Sequence, residues 1–526
     1  MRTLPVNIGD QVQLFIDNHM IEMVNFVTRT LHQPKKYDQN PIIRKDKPWE
    51  VVPYFRTNTW NVCFDAEENI YKCWYEDLGL DHEMFLGHRD ASGDPIDASF
   101  HDACNMRYLY AESTDGIHWD KPELNYRVID GRKTNICLGD KEFGKVHSWS
   151  ILLDPLDEDR SKRFKGIMWH EQTGFIDASI RAVYSADGRH WMPYEQPIDI
   201  GESTGLPLGD VIILSADAVS GEYCLDTRAI AMCERTINPK LPTTKAWGLP
   251  YHPNDPWGMS KRRVFSTTSR DFFHWTMLDE TIVPDDVDDR LDDEFYGLTR
   301  FRMGDLYVGF LDIFHRTHNT KTVHLVCSRN GHDWNRVHRG DPFLGLSPEG
   351  QWDCYMAEIC NQPIFLDDEI RIYYGGANLH HDWWEQGQRE GLDVPEAQPG
   401  FGGGQMGLGL STLRPEGFVS IDSTVREGIL VTRPFLSDGT RLIVNVECGP
   451  KGYFDAELSD ANDDVVPGFE RSACDTFHGD STRHVVTWNA KAPLPRQILA
   501  RGAKLRFFSR HASLYAFRIE GTEETA

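Results

Sequence analysis

The chain has 526 residues, and 40% of them are hydrophobic, which leaves room for one large domain with a smaller companion. Its 81 Asp and Glu outnumber its 55 Lys and Arg, and the formal net charge of −26 argues against nucleic acid or an anionic membrane as partner. The sequence shows no apolar leader and no run of about 18 apolar residues. Its 11 Cys form no Cys-x-x-Cys pair, so we expect a cytoplasmic protein with free thiols.

Pairs of strand-like segments joined by turns recur five times in the first 418 residues. Short strands separated by turn residues are typical of an all-β protein. The predicted pairs are residues 59–64 with 70–75, 147–153 with 164–169, 210–214 with 223–225, 295–302 with 306–311, and 355–366 with 370–374.

A short sequence motif, here called the phrase, follows each pair. In four copies it starts with Ser, has Asp or Asn two positions later and ends with Trp; the copies are residues 113–119, 185–191, 269–275, 328–334 and a degenerate 411–418. Asp or Asn caps a tight turn, and Gly takes a positive φ. One copy would indicate only a hairpin turn. Repetition at this spacing predicts a radial repeat, a five-bladed β-propeller.

The pattern changes after the fifth phrase. From about residue 419 the phrase is absent, and alternating apolar segments occur at 442–446, 484–488, 505–508 and 514–517. Such segments favour a β-sandwich. We therefore predict an all-β chain, with a five-bladed propeller in residues 1–418 and a β-sandwich in residues 419–526. A long polar loop, 385–404, interrupts the fifth blade.

Three carboxylates are the predicted catalytic groups. In a propeller, the starts of the first strands and the ends of the second strands surround one mouth of the central pocket. Asp210 opens an apolar strand, although a turn cap is the alternative. Glu358 lies inside an apolar strand, where a carboxylate needs a partner or a function. Glu294 ends the acidic run 285–294, which otherwise indicates a solvated loop or a calcium site.

Polar and aromatic residues at the same mouth suit a sugar, because Arg and Asn bind hydroxyls and Trp covers a sugar ring. Arg56, Glu76 and Asp312 also fall at this rim. We expect a small carbohydrate as ligand, possible homo-oligomers, and no cofactor apart from a structural calcium near Asp285–Asp293. The predicted substrate-binding residues are Asn58, Trp60, His147, His170, Glu171, Arg228, Asp293, Trp352 and His381.

Several segments carry a resemblance to a known superfamily: residues 13–22, 47–50, the repeated phrases, 414–420 and 430–435. On these segments the chain resembles the five-bladed β-propeller glycoside hydrolases of families 32, 43, 68 and 117, and more narrowly bacterial family-32-like proteins. The likeness covers nearly the whole chain. It implies a glycosidase acting on a furanoside or short oligosaccharide, with a C-terminal β-sandwich.

The sequence departs from the family pattern at the catalytic triad. The family-32 nucleophile motif is absent, and Glu447-Cys448 lies in the predicted sandwich instead of a blade. Blades one and two offer Asn58 and His147 where family 43 has aspartates. The roles of the three carboxylates therefore stay open. A non-catalytic carbohydrate-binding propeller and a sialidase-like hydrolase are the alternatives.

Overall fold

A computed structural model describes residues 4–56, 58–80, 104–139, 145–171, 179–200, 209–228, 233–234, 260–285, 287–290, 292–381, 383 and 393–521. Regular structure in these residues is nearly all β, which confirms the predicted class. The short helical segments include Arg160–Lys162, Pro395–Ala397, Pro399–Gly403, Arg471–Ala473 and Arg496–Leu499. None of the described helices is long and apolar enough to span a bilayer.

Three sheets form the first part of the chain, and their strand pairs are antiparallel except for Asp199–Ile200 with His274–Trp275, which is parallel. The first contains Pro53–Tyr54, Trp60–Asp65, Ile70–Leu80, Cys104–Ser113 and Ile136–Gly139. The second contains Lys145–Leu153, Phe164–Glu171, Ser179–Ser185 and Met192–Pro193. The third contains Asp199–Ile200, Val211–Asp217, Glu222–Arg228, Val264–Ser269, His274–Trp275 and Asp279–Ile282. Two ribbons pair Leu124–Ile129 with Arg132–Thr134 and Cys233–Glu234 with Ser260–Lys261.

The fourth and fifth sheets are joined by a single parallel bridge between Lys321 and Met356. The N-terminal strand Lys35–Lys36 completes the fifth sheet beside its last strand. The fourth sheet contains Asp293–Met303, Leu306–His315, Thr320–Ser328 and Asn335–Arg336. The fifth contains Met356–Glu358, Ile364–Phe365, Ile370–Ala377, Met406–Leu413 and Lys35–Lys36.

One strand of each of the five sheets contacts its counterpart in the neighbouring sheet, so that the five strands form a closed circle. These inner strands are Trp60–Asp65, Lys145–Leu153, Val211–Asp217, Asp293–Met303 and Met356–Glu358. Asn61 of the first bonds the backbone of the second, and the Leu214 amide of the third donates to Ser150 of the second. The third inner strand packs on the fourth. The Thr299 hydroxyl of the fourth strand donates to the carbonyl of Ile359, the residue that directly follows the fifth strand. Asn361 then bonds the first. Residues of all five regions line a cavity of about 320 Å³. The number of blades stays a prediction.

The repeated phrase forms the same turn in each of its first four copies. In the first, Asp115 Oδ1 accepts the backbone N–H groups of residues 117 and 118, each at 2.8 Å, and Gly116 has φ +74°. In the second, the Gly188 carbonyl accepts the indole N–H of Trp191 and also that of Trp74 from the first sheet. The phrase thus closes its own hairpin and ties it to the preceding sheet.

The C-terminal sheet also includes the N-terminus of the chain. Residues 6–31 pair with it, although the predicted division puts them with the propeller. Strand pairing across such a distance leaves no local signal, and the division into domains stays a prediction. The ten strands are Val6–Asn7, Gln13–Leu14, Ile21–Asn25, Val27–Leu31, Val419–Ser423, Gly428–Thr432, Phe435–Leu436, Arg441–Asp460, Asp480–Val485 and Ala503–Glu520.

One predicted strand is much shorter than expected. The apolar run 355–366 forms only Met356–Glu358 before the ladder stops, and pairing resumes at Ile364–Phe365. Pro363 has no N–H to donate, and Asn361 uses its side chain to bond the first inner strand. Here tertiary hydrogen bonds replace the predicted ladder.

We expect Gly188→Ala to destabilise the protein more than Gly221→Ala. Both glycines have a positive φ, +74° and +69°, so either alanine costs about 1 kcal/mol in backbone strain. Only at Gly188 would the new Cβ also lie 2.7 Å from the Trp74 ring, whereas nothing lies within 4 Å at Gly221. Urea unfolding of the two variants measures the difference, and equal losses would contradict the tie between the sheets.

Candidate functional site

Asp210 lies directly before the third inner strand and forms an ion pair with Arg228. Its carbonyl accepts hydrogen bonds from Asn58 Nδ2 at 3.2 Å and from the Ser148 hydroxyl, so three sheets meet at this residue. Burial alone would raise the pKa of Asp210, but the charges of Arg228 and then His147 more than offset it, and the pKa is lowered. Asp210 is therefore an ionised acceptor at neutral pH.

Glu294 is the second residue of the fourth inner strand and is fully buried. Two guanidinium groups bind it: Arg262 at the edge of the third sheet contacts Oε2, and Arg316 lies 3.1 Å from Oε1. Two cations around one carboxylate offset the cost of removing its charge from water.

Glu358 lies in the fifth inner strand and contacts a buried lysine of the fourth sheet. Lys321 Nζ is 3.1 Å from Glu358 Oε2, and neither side chain is exposed. Burial lowers the pKa of Lys321 to about 7, although the negative charge of Glu358 opposes this shift.

Asp312 is the buried neighbour of this pair. Its Oδ1 accepts the Ile359 N–H at 3.2 Å, and its Oδ2 has no hydrogen-bond partner within the described parts of the chain. Burial, and then the negative charge of Glu358, raises the pKa of Asp312 well above its usual value. Asp312 therefore keeps its proton to a higher pH than an ordinary aspartate, beside an amine whose pKa is lowered to about 7.

Cations that bind the three predicted carboxylates lie around the ring of Tyr296. Lys321 Nζ lies 3.4 Å from the centroid of its ring, the Arg228 guanidinium 4.1 Å and the Arg262 guanidinium 5.3 Å. The Tyr296 hydroxyl is 2.7 Å from His381 Nε2. The partners of Asp210, Glu294 and Glu358 thus surround one aromatic ring.

Glu76 and His147 form a contact between a carboxylate and an imidazole at the same mouth. His147 Nδ1 lies 2.9 and 3.0 Å from the two Glu76 oxygens. Glu76 also accepts the Tyr108 hydroxyl at 3.0 Å and the Ser148 N–H at 3.3 Å. Ser148 has a positive φ of +55°, which turns the chain where the strand register breaks.

Several predicted binding residues lie at this cluster. Asn58 and Arg228 contact Asp210, and the His381 carbonyl accepts a hydrogen bond from Arg56 at 2.8 Å. His381 and Asn58 are buried. The side chains of His170 and Glu171 lie outside the described residues.

Three predicted binding residues lie elsewhere. Trp60 is fully buried in the core between the first and fifth sheets, so its ring cannot cover a sugar. Trp352 packs on Tyr374, with ring centroids 5.7 Å apart. Asp293 binds His315 at 2.7 Å and lines a separate cavity of about 520 Å³, because neighbouring residues on a strand face opposite sides.

The acidic run binds cations of the protein itself. Asp285 and Asp288 contact Arg339, and Asp289 contacts Arg336. Among the described residues, no group of three or more His, Cys, Asp or Glu could hold a metal ion. These three carboxylates of the run are thus paired with arginines of the chain, and a calcium there stays a prediction.

Sequence reasoning missed Tyr296, Lys321, Arg262 and Arg316 as members of the cluster. Tyr296 carried a signal, because it lies two residues after Glu294 and regular strand alternation would put both on one face, although the ladder register shifts between Phe295 and Gly297. The three cations lie outside the predicted first and second strands. Arg262 precedes the strand Val264–Ser269 of the third sheet, whereas Arg316 follows Leu306–His315 and Lys321 lies in Thr320–Ser328 of the fourth.

Comparison with protein-family models found no match, and comparison with curated proteins found none. Among solved structures, the chain is similar to an N-acetylgalactosamine deacetylase from F. plautii, at 12% identity over 75% of this chain and 97% of that one, with a TM-score of 0.44. It is also similar to the β-1,2-mannobiose phosphorylase of Listeria innocua, at 10% over 72% and 96%, TM-score 0.45. A family 43 arabinoxylan arabinofuranohydrolase from Bacillus subtilis matches at 11% over 93% and 99%, TM-score 0.38.

We expect Asp312→Asn to gain stability relative to the wild type as the pH rises above about 4. The unfolded chain releases the Asp312 proton near its usual pKa of 3.8, whereas the folded protein holds it to a higher pH. The wild type therefore loses stability as pH increases through this window, and the neutral amide does not. Urea unfolding at pH 4.5, 6 and 7.5 measures this difference.

Asp210→Asn is the matched control, because the pKa of Asp210 is shifted in the opposite direction from that of Asp312. Because the folded pKa of Asp210 is lowered, its contribution is present above its unfolded pKa of 3.8 and lost on further acidification. Its difference from the wild type should stay constant across the same three pH values. A constant difference for Asp312→Asn as well would show that Asp312 is ionised throughout.

Proposed function

We propose that this protein is a glycoside hydrolase acting on a furanoside or a short oligosaccharide at the mouth of the circle of inner strands. Asp210, Glu294 and Glu358 are the proposed acid/base carboxylates. The observation that carries the proposal is the cluster around Tyr296, which gathers the cation partners of all three carboxylates.

The site contains carboxyls whose pKa values are shifted in opposite directions, which suits glycoside hydrolysis. One group must donate a proton to the leaving oxygen, and an ionised carboxylate must assist water or attack the sugar. The pKa of Asp210 is lowered and that of Asp312 is raised, so the two carboxyls lose their protons at different pH values. Pairs of groups with divergent pKa values are typical of acid/base sites.

A carbohydrate-binding propeller without turnover is the second candidate. It is favoured by the burial of Glu294 and Glu358, each held by a cation of the protein. Buried, paired carboxylates organise a pocket without touching its ligand. This candidate predicts sugar affinity with no product.

We expect Asp210→Asn to lower glycoside turnover by on the order of 10²-fold or more, because it removes an ionised acceptor. Glu294→Gln and Glu358→Gln should also lower it. Aryl glycosides and natural disaccharides are the substrates, and product chromatography is the measurement. Product stereochemistry then separates retention, with carboxyls about 5–5.5 Å apart, from inversion, at about 6.5–9.5 Å.

Asp217→Asn is the control for this series. Asp217 ends the same inner strand and contacts an arginine, Arg302, at 3.2 Å, as Asp210 contacts Arg228 at the other end. Glycoside turnover by the Asp217→Asn variant should equal that of the wild type. Sugar binding without hydrolysis by the wild type would select the binding candidate, and full activity in all three site variants would refute the assigned carboxylates.

A further inference from the structure

We infer that His147, oriented by Glu76, is the group that donates the proton to the leaving oxygen. This inference rests on the proposed glycosidase function and assigns one role within it. The argument uses three observations: the fixed contact between the two side chains, their difference in exposure, and the position of Asp210 beside them.

The first observation is that Glu76 is a rigid acceptor. It is fully buried, and donors from two sheets surround it: Tyr108 of the first sheet, and the His147 ring and Ser148 N–H of the second. Several donors around one buried carboxylate hold it in one orientation. Glu76 therefore fixes the orientation of the imidazole ring.

The second observation is access. Among the described titratable side chains of the cluster, Asp210 and His147 have the largest exposed fractions, 24% and 17%. The value for Glu294 is 1%, and for Glu358 and Lys321 it is zero. A group that exchanges a proton with a substrate must touch it. Access therefore favours His147 over Glu358 as the donor.

The third observation is that His147 lies beside Asp210. The hydroxyl of the next residue, Ser148, donates to the Asp210 carbonyl, and the His147 charge contributes to the lowered pKa of Asp210. Among the described residues, Glu76 of the first sheet contacts the His147 ring, the Trp169 ring of its own sheet lies 6.0 Å from it between centroids, and the His147 charge acts on Asp210 of the third sheet. The imidazole is thus held by one carboxylate and affects the pKa of a second.

The two accessible groups complete one hydrolytic step. The proton passes from His147 to the glycosidic oxygen as the bond from that oxygen to the anomeric carbon breaks, and the bonding electrons stay with the oxygen. Water adds to the anomeric carbon and gives its proton to Asp210. Proton transfer through solvent from Asp210 to His147 restores both groups, so Glu76 acts only as a positioning residue.

Dependence on the leaving group tests this assignment. A dinitrophenyl glycoside leaves without proton assistance, whereas a phenyl glycoside of the same sugar needs it. His147→Gln should therefore lose on the order of 10²-fold in kcat on the phenyl glycoside and less than about 10-fold on the dinitrophenyl one. Glu76→Gln should lower kcat on the phenyl glycoside less than His147→Gln does, and its alkaline pH limit should move down by about 1 unit, because the imidazolium loses its carboxylate.

His118→Gln is the matched control. His118 makes the same Nδ1–carboxylate contact, at 2.7 Å to Asp115, in an exposed turn outside the site. It should leave both rates and the pH profile unchanged. The Gln side chain at 147 keeps a donor toward Glu76, and melting temperatures verify that each variant is folded.

The outcomes separate this inference from the proposed function. If Glu358→Gln shows the loss restricted to the phenyl glycoside and His147→Gln does not, Glu358 is the proton donor and the inference is wrong, while the glycosidase function stands. Equal losses on both substrates for His147→Gln also overturn it, since they indicate a binding or structural role. A wild type that turns over no glycoside refutes the function itself.

Discussion

Charge compensation across neighbouring sheets is the constraint on which the centre of this molecule depends. Carboxylates are withdrawn from water where the inner strands converge, at a cost of several kcal/mol for each ion. Most of the groups that offset this cost come from another sheet: Arg262 reaches Glu294, Lys321 reaches Glu358 and His147 reaches Glu76. Because neither partner is compensated alone, closure of the circle and formation of the charge cluster depend on each other.

Tyr296 makes this cluster compact. A ring can face several cations without a formal charge of its own, and three cations lie around it here. A carboxylate in its place would satisfy one or two of them and would compete with Asp210, Glu294 and Glu358. The neutral ring therefore leaves each cation available to its own carboxylate, and the protonation states diverge according to burial and partner.

The sequence predicted the elements of the fold well because its signals are local. The Asp and Gly of each phrase act within seven residues, and alternation marks the strands around them. The same logic placed the three carboxylates at strand starts, and all three lie in one cluster. It failed for Trp60 and Trp352, since an aromatic at a strand start can turn toward the core as readily as toward the pocket. It also failed for the N-terminal strands 6–31, whose partners lie more than 380 residues away.

The amino-acid sequence by itself determined the all-β class, the repeated turn and the carboxylates in or beside the inner strands, because each depends on neighbours a few residues apart. Only the tertiary structure decided which groups those carboxylates contact and which of them meet solvent. Glu76 and His147 are 71 residues apart, and Arg56 and His381 are 325 apart. Partners at such distances meet only when separate sheets converge, and burial, which sets the pKa of each group, exists only once they have done so.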